Sequence, residues 1–276
     1  MSVRHIPAIL ALVAGSLTLK AAELKPETLE SWNGYVRVAN AHMKERADGA
    51  APFLWTDESV HRLRRVRSGE VVVERAHGEE AQKVPHGLIH DWIGAAFVPN
   101  ATVANVLAVV RDYDRYQEVF GPTVASVHLT ASTPRQDRFS MVWLRKVLFV
   151  TAAVDSDYES RYIQVDEKRW YSSASSTRVQ QIRNYGRPDE QMLPCDQGDG
   201  FLWRLHSISR FAERDGGVYV EVQAIGLSRD IPFSMEWMVR PVIERLSRDS
   251  ILATLQGTRG AIEQKTFAAR ASSNGQ

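Results

Sequence analysis

The sequence predicts an α+β fold: a curved antiparallel sheet gripped between a helix pair near its start and a long C-terminal helix, with one extra helix in front. Three observations predict it. His86 to Phe120 reads as a strand, a sharp turn, one amphipathic helix and a second short helix. A long run of extended segments follows, with turn residues between them. From about Arg240 to Gln264 the spacing becomes helical again.

The elements follow in chain order. Pro26 to Arg46 is expected as an amphipathic helix, with Leu29, Trp32, Val36 and Met43 on one broad face and Pro26 in its first turn. Asp57 to Arg67 is a second helix carrying a basic cluster, Arg62, Arg64, Arg65 and Arg67. That cluster reads as a solvated face or as a contact to an anionic membrane. Glu70 to Arg75 is a strand pairing with Gly87–Val98 across a polar linker. Ile89, Ile93 and Phe97 lie on one face of that second strand, and Pro99-Asn100 ends it, with Asn100 as a helix cap. Val103, Val106, Leu107 and Val110 make the apolar stripe of the next helix, and Asp112 to Tyr116 (DYDRY) leads into the short one.

Strands are expected over Thr123–Thr130, Arg138–Val154, Tyr158–Asp166 and Arg169–Ile182. Asn184 to Gly200 is a Pro- and Gly-containing loop that holds Cys195. Phe201–Phe211 and Val218–Leu227 form the clearest hairpin, because Asp215-Gly216 suits a type I′ turn. That turn sets Arg210 opposite Glu221, His206 opposite Ile225 and Arg204 opposite Leu227, so one face of the hairpin is charged. The other face carries Trp203, Leu205, Ser207, Ser209 and Phe211 against Ser228, Gly226, Ala224, Val222 and Val220, and it is small in its middle. In the last helix Ser250, Ala253, Gly257 and Gly260 make a small-residue stripe.

Composition bounds the rest. The 276 residues are 44% hydrophobic with net charge +1, enough for one large domain or a domain with a small extension. The balanced charge carries no nucleic-acid footprint, and no nucleic-acid partner is expected. The lone Cys195 excludes an intramolecular disulfide and a four-thiolate metal site. The N-terminus reads as an export signal: Arg4 and His5, then the uncharged run Ile6–Leu19, then Ala21-Ala22 as a cleavage site. The expectation is therefore a signal over 1–22, a helical extension over 23–68, the main domain over 69–265 and a disordered tail over 266–276, in a periplasmic or secreted protein.

The segment AAFVPNATVANVLAVVRDYDRYQEVFGPTVASVHL and the closing LSRDIPFSMEWMVRPVIERLSRDSILATL resemble the START-like superfamily, which groups polyketide cyclases, pollen-allergen-type proteins and lipid-transfer domains. The resemblance covers about Glu70 to Gln264 and implies the helix-grip fold. It also implies a hydrophobic ligand held between the sheet and the last helix; some members are enzymes.

No catalytic signature accompanies it: GxSxG and HExxH are absent. His86 and His90 stand on an extended segment, where their spacing separates them by roughly 13 Å. No catalytic residue, metal or cofactor is expected. If the small faces of hairpin and helix look at each other, either they pack closely or the missing volume is a cavity for an apolar molecule. The candidate ligand contacts are then Trp143, Arg145, Trp203, Leu205, Ser207, Ser209, Phe211, Val222, Ala224, Ala253 and Gly257. Trp203 and Phe211 would close the ends, Trp170–Thr177 (WYSSASST) would add hydroxyls, and Arg145 would meet an anionic head group. Which alternating set of the Arg138–Val154 strand faces inward stays open. The expected function is binding of a lipid, quinone or similar molecule; the alternative is a cyclase- or hydratase-type enzyme using the same cavity.

Overall fold

The structure is a computed structural model that describes residues 22–78, 80–147, 150–230 and 233–273. The expected export signal lies outside the described residues up to Ala21. A two-residue strand β1 (Ala22–Glu23) precedes helix α1 (Pro26–Ala47), which has Pro26 in its first turn. A 3-10 turn (Trp55–Glu58) leads into α2 (Val60–Arg67), where the Ser59 side chain accepts from the Arg62 amide as a cap. The strands β2 (Val72–Arg75), β3 (Gln82–Val84) and β4 (Gly87–Pro99) follow. Next come α3 (Val103–Val110), a 3-10 turn (Tyr113–Arg115) and α4 (Tyr116–Phe120). The cap of α3 is Thr102, in a reciprocal capping box with Asn105, and not Asn100. Asn100 instead adopts a left-handed conformation (φ 59°) that turns the chain out of β4.

The middle of the chain is β5 (Val124–Ser132), β6 (Gln136–Val147), β7 (Val150–Gln164), β8 (Arg169–Arg183), and the short β9 (Gln191–Met192) and β10 (Gln197–Gly198). It ends with β11 (Arg204–Arg214), β12 (Gly217–Arg229) and helix α5 (Phe233–Ser273). One expected strand is in fact two. The segment expected as a single strand, Arg138–Val154, is a tight hairpin, with Val147 paired to Val150. The sequence at this point, VLFV, is an unbroken apolar run with no Gly, Pro, Asn or Asp to announce a turn. The last helix also runs on to Ser273, through residues expected as a disordered tail.

The main sheet has the order β2-β4-β12-β11-β8-β7-β6-β5, with β3 beside β2 along β4 and β9 on the edge of β8. All its pairings are antiparallel. The β11–β12 register is the one that the Asp215-Gly216 turn dictates, from Arg214 opposite Gly217 to Arg204 opposite Leu227. Both turn residues have positive φ, 57° and 79°, as a type I′ turn requires.

Helix α5 lies along the inner face of the sheet with Ile251, Leu255, Thr258 and Ile262 buried. It packs on Trp92, Ala96, Val98 and Val220 and on Val103 and Val106 of α3. The approach is closest at Gly94, where a Cβ would stand 2.7 Å from Leu255 Cδ1 and 2.9 Å from Ile251 Cγ2. This is the helix-grip fold. The DYDRY element fastens one end of it. Arg111 holds the fully buried Asp137 through two hydrogen bonds, 3.0 and 2.7 Å. Tyr113 donates to the same carboxylate, and Asp112 pairs with Lys265 of α5 at 2.8 Å.

The extension, α1 with the segment to α2, covers the opposite, outer face of the sheet. Met43, Phe53, Leu54, Trp55 and Val66 pack there on Ile93, Phe97, Ile208 and Tyr219. Trp32 packs on Ile89, Ile225 and Leu227. The charged face of the hairpin therefore lies beneath protein. Glu221 is completely buried and Arg210 is 3% exposed. Glu221 accepts from the Trp55 and Thr56 amides at 2.9 and 2.8 Å, from the Thr56 hydroxyl at 2.9 Å and from Arg210 at 3.1 Å. Arg210 continues to Gln223, Gln223 to Asp91, and Tyr35 of α1 donates to Asp91 at 2.8 Å. Burial works against the Arg210 charge and Glu221 sustains it. Burial likewise pushes the Asp91 carboxyl above its usual range, against the hydrogen bonds from Tyr35 and Gln223.

Candidate ligand groove

The two faces of the central hairpin are buried to different extents. In β11 the outer residues His206, Ile208 and Arg210 are buried, whereas the inner residues Leu205, Ser207 and Ser209 are only partly covered. In β12 the same holds for buried Glu221, Gln223 and Ile225 against half-covered Val222, Ala224 and Gly226. The polar face is sealed and the small, apolar face is left open. The cause is the path of α5. Its side chains settle on β2, β4 and β12 and on α3 and α4, and Leu205, Ser207 and Ser209 of β11 stay partly covered, while Ser172, Ser160, Tyr158 and Tyr162 beyond them are buried.

The floor is built by register. Ser207 stands opposite Ala174, and Ser209 opposite Ser172. Ala174 stands opposite Ser160, Ser172 opposite Tyr162, and Ser176 opposite Tyr158. The inward set of WYSSASST is therefore Ser172, Ala174 and Ser176. Ser173 and Ser175 point to the outer side, where they meet Asn40 and His206. Every one of these floor positions except Ala174 carries a hydroxyl, so the floor is polar but uncharged.

The far wall is β6. The inward set is Phe139, Met141, Trp143 and Arg145, since Phe139 and Met141 pack with Tyr113, Tyr158 and Phe120 under α4. Trp143 donates from its indole to the Tyr158 hydroxyl at 2.8 Å. Arg145 reaches across to α5: it donates to Thr123 Oγ1 at 2.9 Å and to Ser250 Oγ. Both partners are neutral hydroxyls. Burial lowers the pKa of the guanidinium, and the field of Asp249 partly offsets this. Among the described residues no carboxylate lies within ion-pair distance of Arg145, so its direct partners are the two hydroxyls and only the more distant Asp249 opposes its burial. Tyr158 is pushed up to about 12 by burial, so it keeps its proton at neutral pH.

Trp203 packs against Trp32 of α1 and also lines a recess at one end of the floor. Three other expected contacts sit elsewhere. Phe211 is 1% exposed, within the core that joins sheet, α3 and α5. Ala253 is exposed on α5. Gly257 faces α4 and not the sheet: a Cβ there would stand 2.8 Å from the Val119 carbonyl and 3.3 Å from the Phe120 ring. Within the small stripe only Gly257 makes this helix-to-helix contact: Ser250 meets Arg145, Ala253 is exposed and Gly260 borders open space, and the row turned to the sheet is Ile251, Leu255, Thr258 and Ile262. Tyr158, Ser160 and Tyr162 join the floor without having been expected there. Their period-two spacing on one strand was the available signal.

A small recess of about 10 Å³ marks one end of the floor, lined by Ala152, Val154, Val179, Gln181, Gln197 and Gly200–Trp203. Among the described residues no group of three His, Cys, Asp or Glu could hold a metal. Of the basic cluster on α2, Arg62 bonds the Trp55 carbonyl and Glu74 and stacks on the Trp55 ring, and Arg65 pairs with Glu70.

No protein-family model matches the sequence, and no curated protein matches it. Among solved structures the chain is similar to a STAR-related lipid transfer protein from Xanthomonas axonopodis, at 16% identity over 66% of this chain and 97% of that one, with a TM-score of 0.42. It is also similar to the Zhui aromatase/cyclase from Streptomyces sp. R1128, at 13% identity over 66% and 98%, TM-score 0.42. Human STARD10 shares 9% identity over 77% and 83%, TM-score 0.44. These likenesses concern the fold. They do not identify a ligand.

Proposed function

We propose that this chain is an exported, non-catalytic carrier of an apolar small molecule, a lipid, quinone or similar compound, held between the β11–β8–β7 floor and α5. The observation that carries the reading is the inverted burial of the hairpin. The small, apolar face of β11 and β12 is left half-covered while the charged face is sealed, an arrangement that costs hydrophobic burial unless a ligand completes it. Arg145 supports a ligand with an anionic or acceptor head, because its two hydroxyl partners leave its charge without a counter-ion among the described residues. The uncharged run Ile6–Leu19 supports export.

Native mass spectrometry of the purified full chain, before and after solvent extraction, tests the reading. A bound apolar molecule released by extraction is the expected result. Its absence from protein made in several hosts, together with no uptake of added fatty acid or quinone, would sink the carrier reading. Arg145→Met is expected to shift the bound population away from acidic ligands.

A further inference from the structure

Two side chains on the inner face of β4 hold buried polar atoms that nothing satisfies. His90 and Trp92 are each 8% exposed. Among the described residues His90 Nδ1 and Trp92 Nε1 have no hydrogen-bond partner. Leaving buried polar atoms unmet is costly, so two of them side by side are a cue for a ligand. Both residues border the groove. Trp92 belongs to the same core as Ile251 and Leu255 of α5, and strand alternation turns His90 the same way. Across the ladder Trp92 stands opposite Ala224 and His90 opposite Gly226, which are half-covered positions of β12. The unmet nitrogen of His206, by contrast, lies on the sealed outer face.

The hydrogen-bond directions around His90 fix its tautomer. The Ser228 hydroxyl donates its one hydrogen to the Arg229 carbonyl at 3.0 Å. It therefore accepts from His90 Nε2, 3.0 Å away, and Nε2 carries the ring proton. Burial, and then Arg75, lowers the ring to about 4 against the pull of Glu244, so at neutral pH Nδ1 is a bare acceptor. The Trp92 indole N–H is only a donor. The charges beside them balance: Arg75 pairs with Glu244 of α5 at 2.7 Å and lies 4.6 Å over the Trp92 ring. One acceptor beside one donor fits a neutral group that both gives and takes a hydrogen bond. A carboxylate, ketone or ether only takes one. We propose that His90 and Trp92 form a socket for a hydroxyl group of the bound molecule, which donates to His90 Nδ1 and accepts from the Trp92 indole. The two positions lie about 7 Å apart on one strand face, a span that one oxygen bridges between side chains of this size. The socket rests on the carrier reading and narrows it to apolar compounds that carry a hydroxyl. Arg145 stands on the far wall and takes no part in it.

Calorimetry on the full chain with 1-decanol and with methyl decyl ether tests the socket, because the ether accepts a hydrogen bond but does not donate one. The ratio of the two affinities is compared between parent and variant, which cancels the probes' differences in size and solubility. In His90→Phe the alcohol-to-ether ratio is expected to fall about tenfold. In Trp92→Phe both probes are expected to bind more weakly, with the ratio kept within about twofold, since the indole serves either oxygen. Circular dichroism and melting temperature report whether each variant is folded, and His90→Leu replaces His90→Phe if the larger ring unfolds the chain. An unchanged ratio in the His90 variant overturns the proposal. An equal fall in Trp92→Phe overturns it too, since it would mean a general loss of packing and not of an acceptor. If neither probe binds the parent, the carrier reading and the socket fall together; if both bind and the ratio does not respond to His90, only the socket falls.

Discussion

The two faces of the β11–β12 hairpin differ in what fills them. The outer face holds Arg210, Glu221, Gln223 and His206 and is closed by α1 and the Trp55–Glu58 turn. The inner face holds Ser207, Ser209, Ala224 and Gly226 and is only half closed by α5. Stability and binding are thereby separated on one sheet. The polar face, satisfied by hydrogen bonds from residues far away in sequence, is where the fold is locked. The apolar face contributes less to the lock, and under the proposed function it is where a ligand would be accommodated.

The comparison breaks most sharply at Glu221. Glu221→Gln removes the counter-charge of buried Arg210 and turns an amide toward the Trp55 and Thr56 N–H groups. The expected loss is about 3–5 kcal/mol in urea unfolding. Arg210→Met with Glu221→Leu is expected to recover only part of it, because the buried charge is gone but the Trp55 and Thr56 N–H groups then lack an acceptor.

Acid should weaken the protein through the histidines of both faces. Burial lowers His206, on the outer face, to about 4. His90, on the inner face, is also lowered to about 4, first by burial and then by Arg75, with Glu244 opposing. A folded-state pKa below the unfolded one means stability that is full above about 6.5 and is lost as pH falls toward 4. Between pH 7 and pH 5 each histidine is expected to remove about 2 kcal/mol. Asp91, raised by burial, works in the opposite sense: its folded form takes up a proton first, so it restores some stability toward acid. His206→Gln should flatten the acid limb of a melting-temperature profile; an unchanged limb would refute the assignment.

Adding volume to each face sharpens the contrast further. Ala212→Leu on the sealed outer face is expected to cost about 1–3 kcal/mol, as overpacking does. Ala224→Leu on the open inner face should change stability by less than about 1 kcal/mol yet abolish co-purified ligand. Equal costs at the two positions would mean that the inner face is as full as the outer one. The smallest effect is expected at Arg145. Arg145→Met should leave stability within about 1 kcal/mol of the parent, as measured by urea unfolding, while changing which ligands are retained.

Much of the fold was legible in the sequence where a local signal decides. Asp215-Gly216 fixed a register, and Pro26, Pro99 and the Val103–Val110 stripe fixed elements. The Val147–Val150 reversal was hidden because it is made of strand-forming residues, whose preference reads through the turn. For the site, alternation separated two faces of the hairpin, but it cannot say which face another element covers. That depends on Trp55 and Thr56 meeting Glu221 across some 165 positions of sequence. The helix stripe was misassigned for a related reason: small residues mark a close approach without naming the neighbour, and for Gly257 that neighbour is α4.

The Glu221 carboxylate also orders events in time. Its partners at Trp55 and Thr56 leave the ribosome well over a hundred residues before it does, and the strand that carries it is among the last to be made. Until then the extension has no polar anchor, and its Phe53, Leu54 and Trp55 have no sheet to cover. Contacts of such long sequence separation close late and slowly. The outer core is therefore sealed only once the whole chain is present. Under the export proposed above, a chain that stays open while it is moved through a membrane would gain from that delay.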